Sequence, residues 1–366
     1  MATADRTAAF RLARHHLLSP SDAGVIEICR DVGGVQAQVM SCAEMQIWSR
    51  AKHVRRQDIA AALTSRTLVK TISLRGTLHL VPADEFALYA TALRERQLNV
   101  VRNTTLRYGI TAKDVDWLNT RILDELAEGP LGRAELIKRV SPHAGKKLRW
   151  WIDRVWHLTR PAMAEGLICY GPERGQEVTF VRADQWLGAR AARLGPSAAD
   201  AQRELLRRFL RVYGPATRED FCHWTGLSVR EAVPVWESVR PDLVDVTDAD
   251  GRTGSLLAED LKIWRAARLK SPHVRLLPSF DVFLLGHATK GHLIADRHYK
   301  KVYRNQGWIS PVVLIDGSVS AVWALDRAAR KSIVSIKALS AVPRATRALI
   351  DEQAVRLRSF LDPLTH

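Results

Sequence analysis

Apolar residues recur along this chain with two different periods, and the change from one to the other divides it. As far as residue 270 most runs have helical spacing. Val25, Ile28 and Val32 form one such face, and Ala43, Met45, Ile47 and Trp48 supply a second. Gln57 to Leu63 is a third, shorter run, and Phe86, Tyr89 and Leu93 mark a longer helix. Ser19-Pro20-Ser21-Asp22 reads as the start of the first helix, and Pro82-Ala83-Asp84-Glu85 as the start of the longer one. Ser41, with Glu44 three residues on, reads as a capping box that opens the second. Between the third run and the longer helix, Leu68 to Leu74 and Thr77 to Val81 read as two strands around Arg75-Gly76. Three helices followed by a β-ribbon is the order of a winged helix.

That order recurs. Gly129-Pro130-Leu131-Gly132-Arg133-Ala134-Glu135-Leu136 follows the helical run Ile122, Leu123, Leu126. Gly214-Pro215-Ala216-Thr217-Arg218-Glu219-Asp220-Phe221 follows Leu205, Leu206, Phe209, Leu210. Glycine and proline end one helix, and the polar residues after them begin another. The first copy continues into a helix over Lys146 to Leu158 and a ribbon over Leu167 to Val181, with Gly171-Pro172 in its turn region. The second continues into a helix near Val229 to Val239 and a ribbon over Leu243 to Leu257, turning at Asp248-Ala249-Asp250-Gly251. A repeat of this length means duplicated domains, not a short-period solenoid.

From Ser271 short β-prone runs take over: Val274 to Leu277, Asp281 to Leu285, Val312 to Ile315, Val319 to Trp323 and Ile333 to Leu339. Asp316-Gly317 reads as a hairpin turn, and a last helix is expected from Arg344 to Phe360. The expected architecture is α+β: three tandem winged-helix domains over residues 1–112, 113–198 and 199–270, then a C-terminal β-barrel with a final helix over 271–366.

Composition narrows the partner. The 366 residues carry 55 Lys and Arg against 39 Asp and Glu, a net charge of +16. The excess is spread along the chain, so it belongs to folded surfaces and favours polyanions, nucleic acid before anionic membrane. No apolar run is long enough to span a bilayer, and the first ten residues lack the apolar core of a secretory signal. Cys29, Cys42, Cys169 and Cys222 are scattered, mostly among apolar neighbours, and read as reduced thiols in a cytoplasmic protein. His287, His292 and His298 are too loosely spaced to suggest a metal site, and there is no glycine-rich phosphate loop. The expectation from composition is a DNA- or RNA-handling protein that needs neither metal nor cofactor.

Two basic stretches could bind the DNA backbone. In Lys146-Lys147-Leu148-Arg149-Trp150-Trp151-Ile152-Asp153-Arg154-Val155-Trp156-His157 cations alternate with tryptophans, so Lys146, Lys147 and Arg149 can neutralise phosphates while rings stack. Trp151 and Trp156 read equally as core anchors. The other stretch, His287 to Arg304, presents Lys290, Arg297, Lys300 and Lys301 on what reads as a protruding loop, either groove-binding or merely solvated. Asp281 sits alone in an apolar frame, and a turn-forming structural role fits it better than a ligand-facing one. His79 similarly reads first as a hydrogen-bonded structural residue.

The connector Asp31-Val32-Gly33-Gly34-Val35-Gln36-Ala37-Gln38-Val39-Met40-Ser41 carries two amides flanking a small residue. If it is extended, Gln36 and Gln38 face the same way beside a helix N-terminus. On spacing alone they read as solvated surface.

Taken together, Gly34-Val35-Gln36-Ala37-Gln38, Ile47-Trp48-Ser49-Arg50, Arg75-Gly76-Thr77-Leu78-His79-Leu80-Val81, Leu277-Pro278-Ser279-Phe280-Asp281 and Asp316-Gly317 followed by Trp323 resemble the AlkZ and YcaQ family of bacterial winged-helix DNA glycosylases across nearly the whole chain. Gln38 matches the AlkZ branch, since the YcaQ branch has aspartate there. The resemblance implies base excision repair by hydrolysis of the N-glycosidic bond of N7-alkylated purines, including bulky adducts and interstrand crosslinks. It implies Gln36 and Gln38 as the catalytic pair, orienting a water and stabilising an oxocarbenium sugar, with His79 and Asp281 as possible support. No amine nucleophile is present in the motif, so the enzyme is expected to be monofunctional. The rival from another class is a non-enzymatic winged-helix transcriptional regulator, which would leave alkylated DNA unbroken after alkali.

Overall fold

The four strands of the C-terminal segment, Val274–Leu277, Val312–Ile315, Ser318–Asp326 and Ile333–Ala338, pair as consecutive antiparallel neighbours. Asp316 and Gly317 turn the second into the third with φ of 52° and 83°, a left-handed pair that glycine tolerates and aspartate can adopt. The chain is seen in a computed structural model that describes residues 3–154, 158–175, 177–188, 197–248, 251–326 and 333–362. Its elements mix helices with antiparallel strands and form two compact units. One comprises Met1–Ala60, Leu206–Trp224 and Ser228–His366; the other comprises Ala61–Leu205 and Thr225–Leu227.

In the first unit the C-terminal sheet is open, which corrects the expected barrel. Among the described residues the first and fourth strands do not pair. The helix Arg344–Leu361 packs against the first strand instead, and the fourth strand has no fully buried face. Four short strands are also too few to close on themselves. The sheet shares one apolar core with the helices Thr3–Arg14 and Met40–Arg50, through Leu12, Met45, Trp48, Leu276, Val313, Trp323 and Leu357. The indole Nε1 of Trp323 donates to Leu277 O at 2.9 Å, and Trp48 stacks on Phe360 at 5.7 Å.

Three local expectations in this unit also change. Ser19 to Asp22 does not start a helix: Ser21 forms a parallel bridge with Ala51. The helix bearing Val25 and Ile28 runs Val25–Asp31, preceded by an unexpected helix, Thr3–Arg14. Ser41 does not cap the second helix, because that helix already begins at Met40 behind an extended Val39. Glu44, freed from a capping role, pairs with Arg56 at 2.8 Å. The run Asp281 to Leu285 is a helical turn, Val282–Leu285, whose N-cap is Asp281; its apolar residues pack into the core and do not form a strand face.

In the second unit, Leu68–Ile72 pairs with Leu78–Pro82 as expected, with Thr71 opposite His79. The long helix runs Phe86–Arg107. Ala112–Glu125 opens on a complete Thr111–Asp114 capping box. The helix expected to run from Lys146 to Leu158 is described as Lys146–Arg154; Val155, Trp156 and His157 lie outside the described residues. Trp151 is a core residue beside Leu148, Ile152 and Phe180.

The sequence repeat has a structural counterpart. In the first copy Leu131 pairs with Phe180 of the ribbon, and in the second Ala216 bridges Ser255. Both residues stand two positions after the glycine of the Gly-Pro pair, so each copy ties its turn to its own ribbon at the same place. Ala249 and Asp250 of the expected second turn lie outside the described residues.

His15 is wholly buried, edge-on to Tyr213 at 4.8 Å and Phe283 at 5.1 Å, and neither ring nitrogen has a partner among the described residues. Burial, with Arg50, His16 and Arg11 adding to it, holds its pKa well below 6.5. The unfolded chain therefore takes up a proton below pH 6.5 that the folded ring refuses, and stability falls as pH drops through that value. Urea midpoints between pH 7 and 5 should show this, and His15→Phe should flatten the slope by up to about 1.4 kcal/mol per pH unit. An unchanged slope would overturn the assignment.

Candidate active site

Gly33 and Gly34, at φ of 73° and 92°, end the helix Val25–Asp31 and turn the chain toward the motif. A side chain at Gly33 would also strike Trp224, whose ring lies 2.9 Å from where a Cβ would be. Val35–Gln36 is a two-residue strand, and the chain bends over Gln38 and Val39 before Met40–Arg50 begins. The extended stretch is thus shorter than expected. Gln36 is buried and Gln38 exposed, with Ala37 wholly buried between them.

A buried chain of hydrogen bonds fixes this strand. Gln46 Nε2 donates to Gln36 O at 2.9 Å, and Gln46 Oε1 accepts from Val282 N at 3.2 Å. One turn on, Arg50 Nη1 donates to Gln46 O at 2.9 Å. The Arg50 guanidinium also grips Asp281 with two bonds, at 2.9 and 2.7 Å, and neither side chain is exposed to solvent. Asp281 Oδ1 accepts from Phe283 N as well. The Tyr213 hydroxyl lies 3.4 Å from the carbonyls of both Val32 and Val282. The segment at 281–283 is therefore anchored to both sides of the glutamine motif.

Sequence reasoning missed Gln46, Arg50 and Tyr213 as supports. Gln46 and Arg50 stand four apart on the helix Met40–Arg50 and so share a face, but only the fold shows that both are buried. Asp281, the isolated carboxylate of the sequence, is wholly buried, paired with Arg50 and N-capping the turn Val282–Leu285. His79 is buried in the second unit, with Nδ1 3.1 Å from Thr77 O. Burial and Arg75 push its pKa down to about 3, so the ring is neutral and Nδ1 is the donor.

The basic candidates divide. Lys146 and Lys147 are exposed, while Arg149, also exposed, turns its Nε onto Ser141 O at 2.9 Å. The stretch expected as a loop contains helical turns at Asp296–His298, Tyr299–Val302 and Asn305–Gly307. Arg297, Lys300 and Lys301 are exposed there, with Tyr299 and Trp308 partly exposed beside them. Lys290 departs from expectation. It is buried, its ammonium donating to His287 O and lying 5.4 Å from the Tyr303 ring centre, so a carbonyl and an aromatic face take the place of water around the charge.

The sequence pattern described as "DNA glycosylase AlkZ-like" matches residues 29–360. The chain belongs to the AlkZ-like family of DNA glycosylases. It is 31% identical over 324 residues to an interstrand DNA cross-link repair glycosylase of Streptomyces sahachiroi, covering 87% of this chain and 86% of that one. The solved structure of the Streptomyces sahachiroi DNA glycosylase AlkZ superposes with a TM-score of 0.85 at 27% identity, covering 97% of this chain and 96% of that one. Among the described residues of this family member, no helix is long and apolar enough to cross a membrane.

Two outcomes follow for the site. Asp281→Ala strands the Arg50 charge inside the protein and should cost about 3–5 kcal/mol in urea unfolding. Gln46→Leu should cost about 1–3 kcal/mol yet slow base release by roughly tenfold or more, because the Gln36 backbone loses its fixed position. Equal rates for Gln46→Leu and the parent protein would remove Gln46 from the site. Separately, Lys300→Gln and Lys301→Gln should weaken duplex binding and lower the salt slope by about 0.9 for each phosphate that is no longer neutralised; an unchanged titration would make those lysines bystanders.

Proposed function

We propose that this AlkZ-like glycosylase hydrolyses the N-glycosidic bond of N7-alkylated purines in double-stranded DNA, bulky adducts and interstrand crosslinks among them, and leaves an abasic site. The observation that carries this reading is the placing of the glutamine motif: Gln36 lies on a strand whose backbone is held by Gln46, and Gln38 follows two residues later at the surface. Gln36 and Gln38 are the proposed catalytic pair. The crosslink-repair name of the Streptomyces sahachiroi relative agrees with the substrate class.

Two amides suffice because of the leaving group. Alkylation at N7 makes the base cationic, so it departs neutral and needs no general acid. What remains is to orient a water and to stabilise positive charge growing on the sugar, which fixed carbonyl dipoles can do. A glutamine has no useful basicity, so unmodified purines should be released slowly if at all. A base tethered to the opposite strand cannot swing into a closed pocket, so the lesion is read in place instead of being flipped. The recurring order of helices and ribbon supports three winged helices as the DNA-binding scaffold, acting as a monomer with Lys146, Lys147, Arg297, Lys300 and Lys301 on phosphates.

The test is release of N7-methylguanine from duplex DNA by Gln36→Ala and Gln38→Ala proteins of normal thermal stability. Each should lose roughly 100-fold or more, the scale of one lost transition-state dipole. Near-parental rates in both would sink the pair. Protection of alkylated duplex without alkali-labile breaks would mark a binder.

A further inference from the structure

The turn Arg75-Gly76 in the second unit gathers cations that the catalytic reading does not use. Arg160 Nη1 donates to Gly76 O at 3.1 Å, and its Nη2 lies 3.4 Å from Gln97 Oε1. Gln97 is itself fixed, its amide donating to Ser73 O at 2.7 Å. Arg96 Nε donates to Gly226 O at 2.8 Å. A Cβ at Gly76 would lie 2.6 Å from Arg160 Nη2 and 3.7 Å from Arg96 Nη1, so the two guanidiniums stand within about 6 Å of each other.

Both arginines are half-buried, and neither pairs with a carboxylate among the described residues. Every acceptor that holds them is a neutral carbonyl or amide oxygen, which orients a guanidinium without cancelling its charge. The cost is visible: burial, and then the charge of Arg96, lower the pKa of Arg160. Two like charges brought together at a left-handed glycine, with no counter-ion of their own, make a place for an anion. Arg160 also lines an open cleft of about 230 Å³ beside Thr104, Thr105 and Val101. Trp151 lines it too, and its buried indole Nε1–H has no acceptor among the described residues. The cleft therefore sets the Arg160 and Trp151 donors beside two threonines on a wall completed by Val100, Val101 and Pro161, a mixed lining that suits a sugar-phosphate.

We propose that Arg96 and Arg160 clamp one backbone phosphodiester of the substrate DNA at the Arg75-Gly76 turn. Planar guanidiniums suit this because each can offer paired donors to phosphate oxygens. The proposal rests on DNA being the substrate, and it concerns binding, not the bond broken.

The test uses an undamaged duplex, so it does not depend on base release. Fluorescence anisotropy of the full-length protein from about 50 to 200 mM salt should give a slope lower by about 0.9 when Arg96→Gln and Arg160→Gln are combined, and lower by part of that for each glutamine variant alone. Arg160→Lys should keep most of the slope. Should Arg160→Gln fold poorly, Arg96→Gln carries the test, since it loses a single backbone bond. Unchanged slopes in both glutamine variants would overturn the clamp. A second arm adds inorganic phosphate without DNA: a thermal shift abolished by Arg160→Gln, with DNA slopes unmoved, would assign the site to free phosphate and also overturn it. Lowered slopes in a protein that releases no alkylated base would support the clamp while defeating the proposed function.

Discussion

The buried ion pair between Arg50 and Asp281 is the constraint on which the rest of the site depends. The two residues are 231 positions apart and neither is exposed. Taking both charges out of water is expensive, and the attraction between them repays it only when the remaining donors and acceptors are filled. Here Arg50 Nη1 also serves the Gln46 and Ser49 oxygens and Asp281 also caps the turn that follows it, while Arg50 Nε has no partner among the described residues. Such a pair adds little stability over an apolar replacement. It does fix one arrangement: the helix after the glutamine motif can meet the C-terminal segment in only one register.

That register reaches the glutamine motif through Gln46, whose amide touches Gln36 O on one side and Val282 N on the other. A catalytic carboxylate advertises itself by a shifted pKa, because its charge state is its function. Neutral amides have no such handle, and their contribution depends on where their dipoles point. A site built on glutamines therefore needs a stiffer frame than one built on acids. The buried supports around Val35–Gln36, including Tyr213 between Val32 and Val282, supply it.

Much of the fold was legible in sequence where local rules decide. The first ribbon, the hairpin at Asp316-Gly317, the long helix after Pro82 and the Gly-Pro repeat all follow from short-range pattern and turn chemistry. Errors fell where distant packing overrides local preference. Ser41 is a good cap by type, but Val39 is already extended after the bend and the helix begins at Met40. Asp281 to Leu285 is β-prone by composition, yet Asp281 is claimed by Arg50 and caps a turn. The barrel expectation failed because strand count says nothing about whether edges meet. At the candidate site, Gln36 and Gln38 could be singled out by resemblance, whereas Gln46 needed the fold, since its partners lie before it and far after it in the chain.

Counting cations overestimates what a basic protein offers its substrate. Lys290 reads in sequence as a member of an exposed patch, but its ammonium answers a backbone carbonyl inside the protein. Arg149 is exposed, yet it braces the turn at Ser141. Acceptor type decides how much of each charge remains useful. An arginine held by a carboxylate, as Arg240 is by Asp245, is nearly neutral at a distance. One held by carbonyls, as Arg96 is by Gly226 and Arg160 by Gly76, is rigid and still fully charged. For an enzyme that acts on a polyanion, rigid uncompensated cations are worth more than a larger number of mobile ones, because they set position as well as attraction.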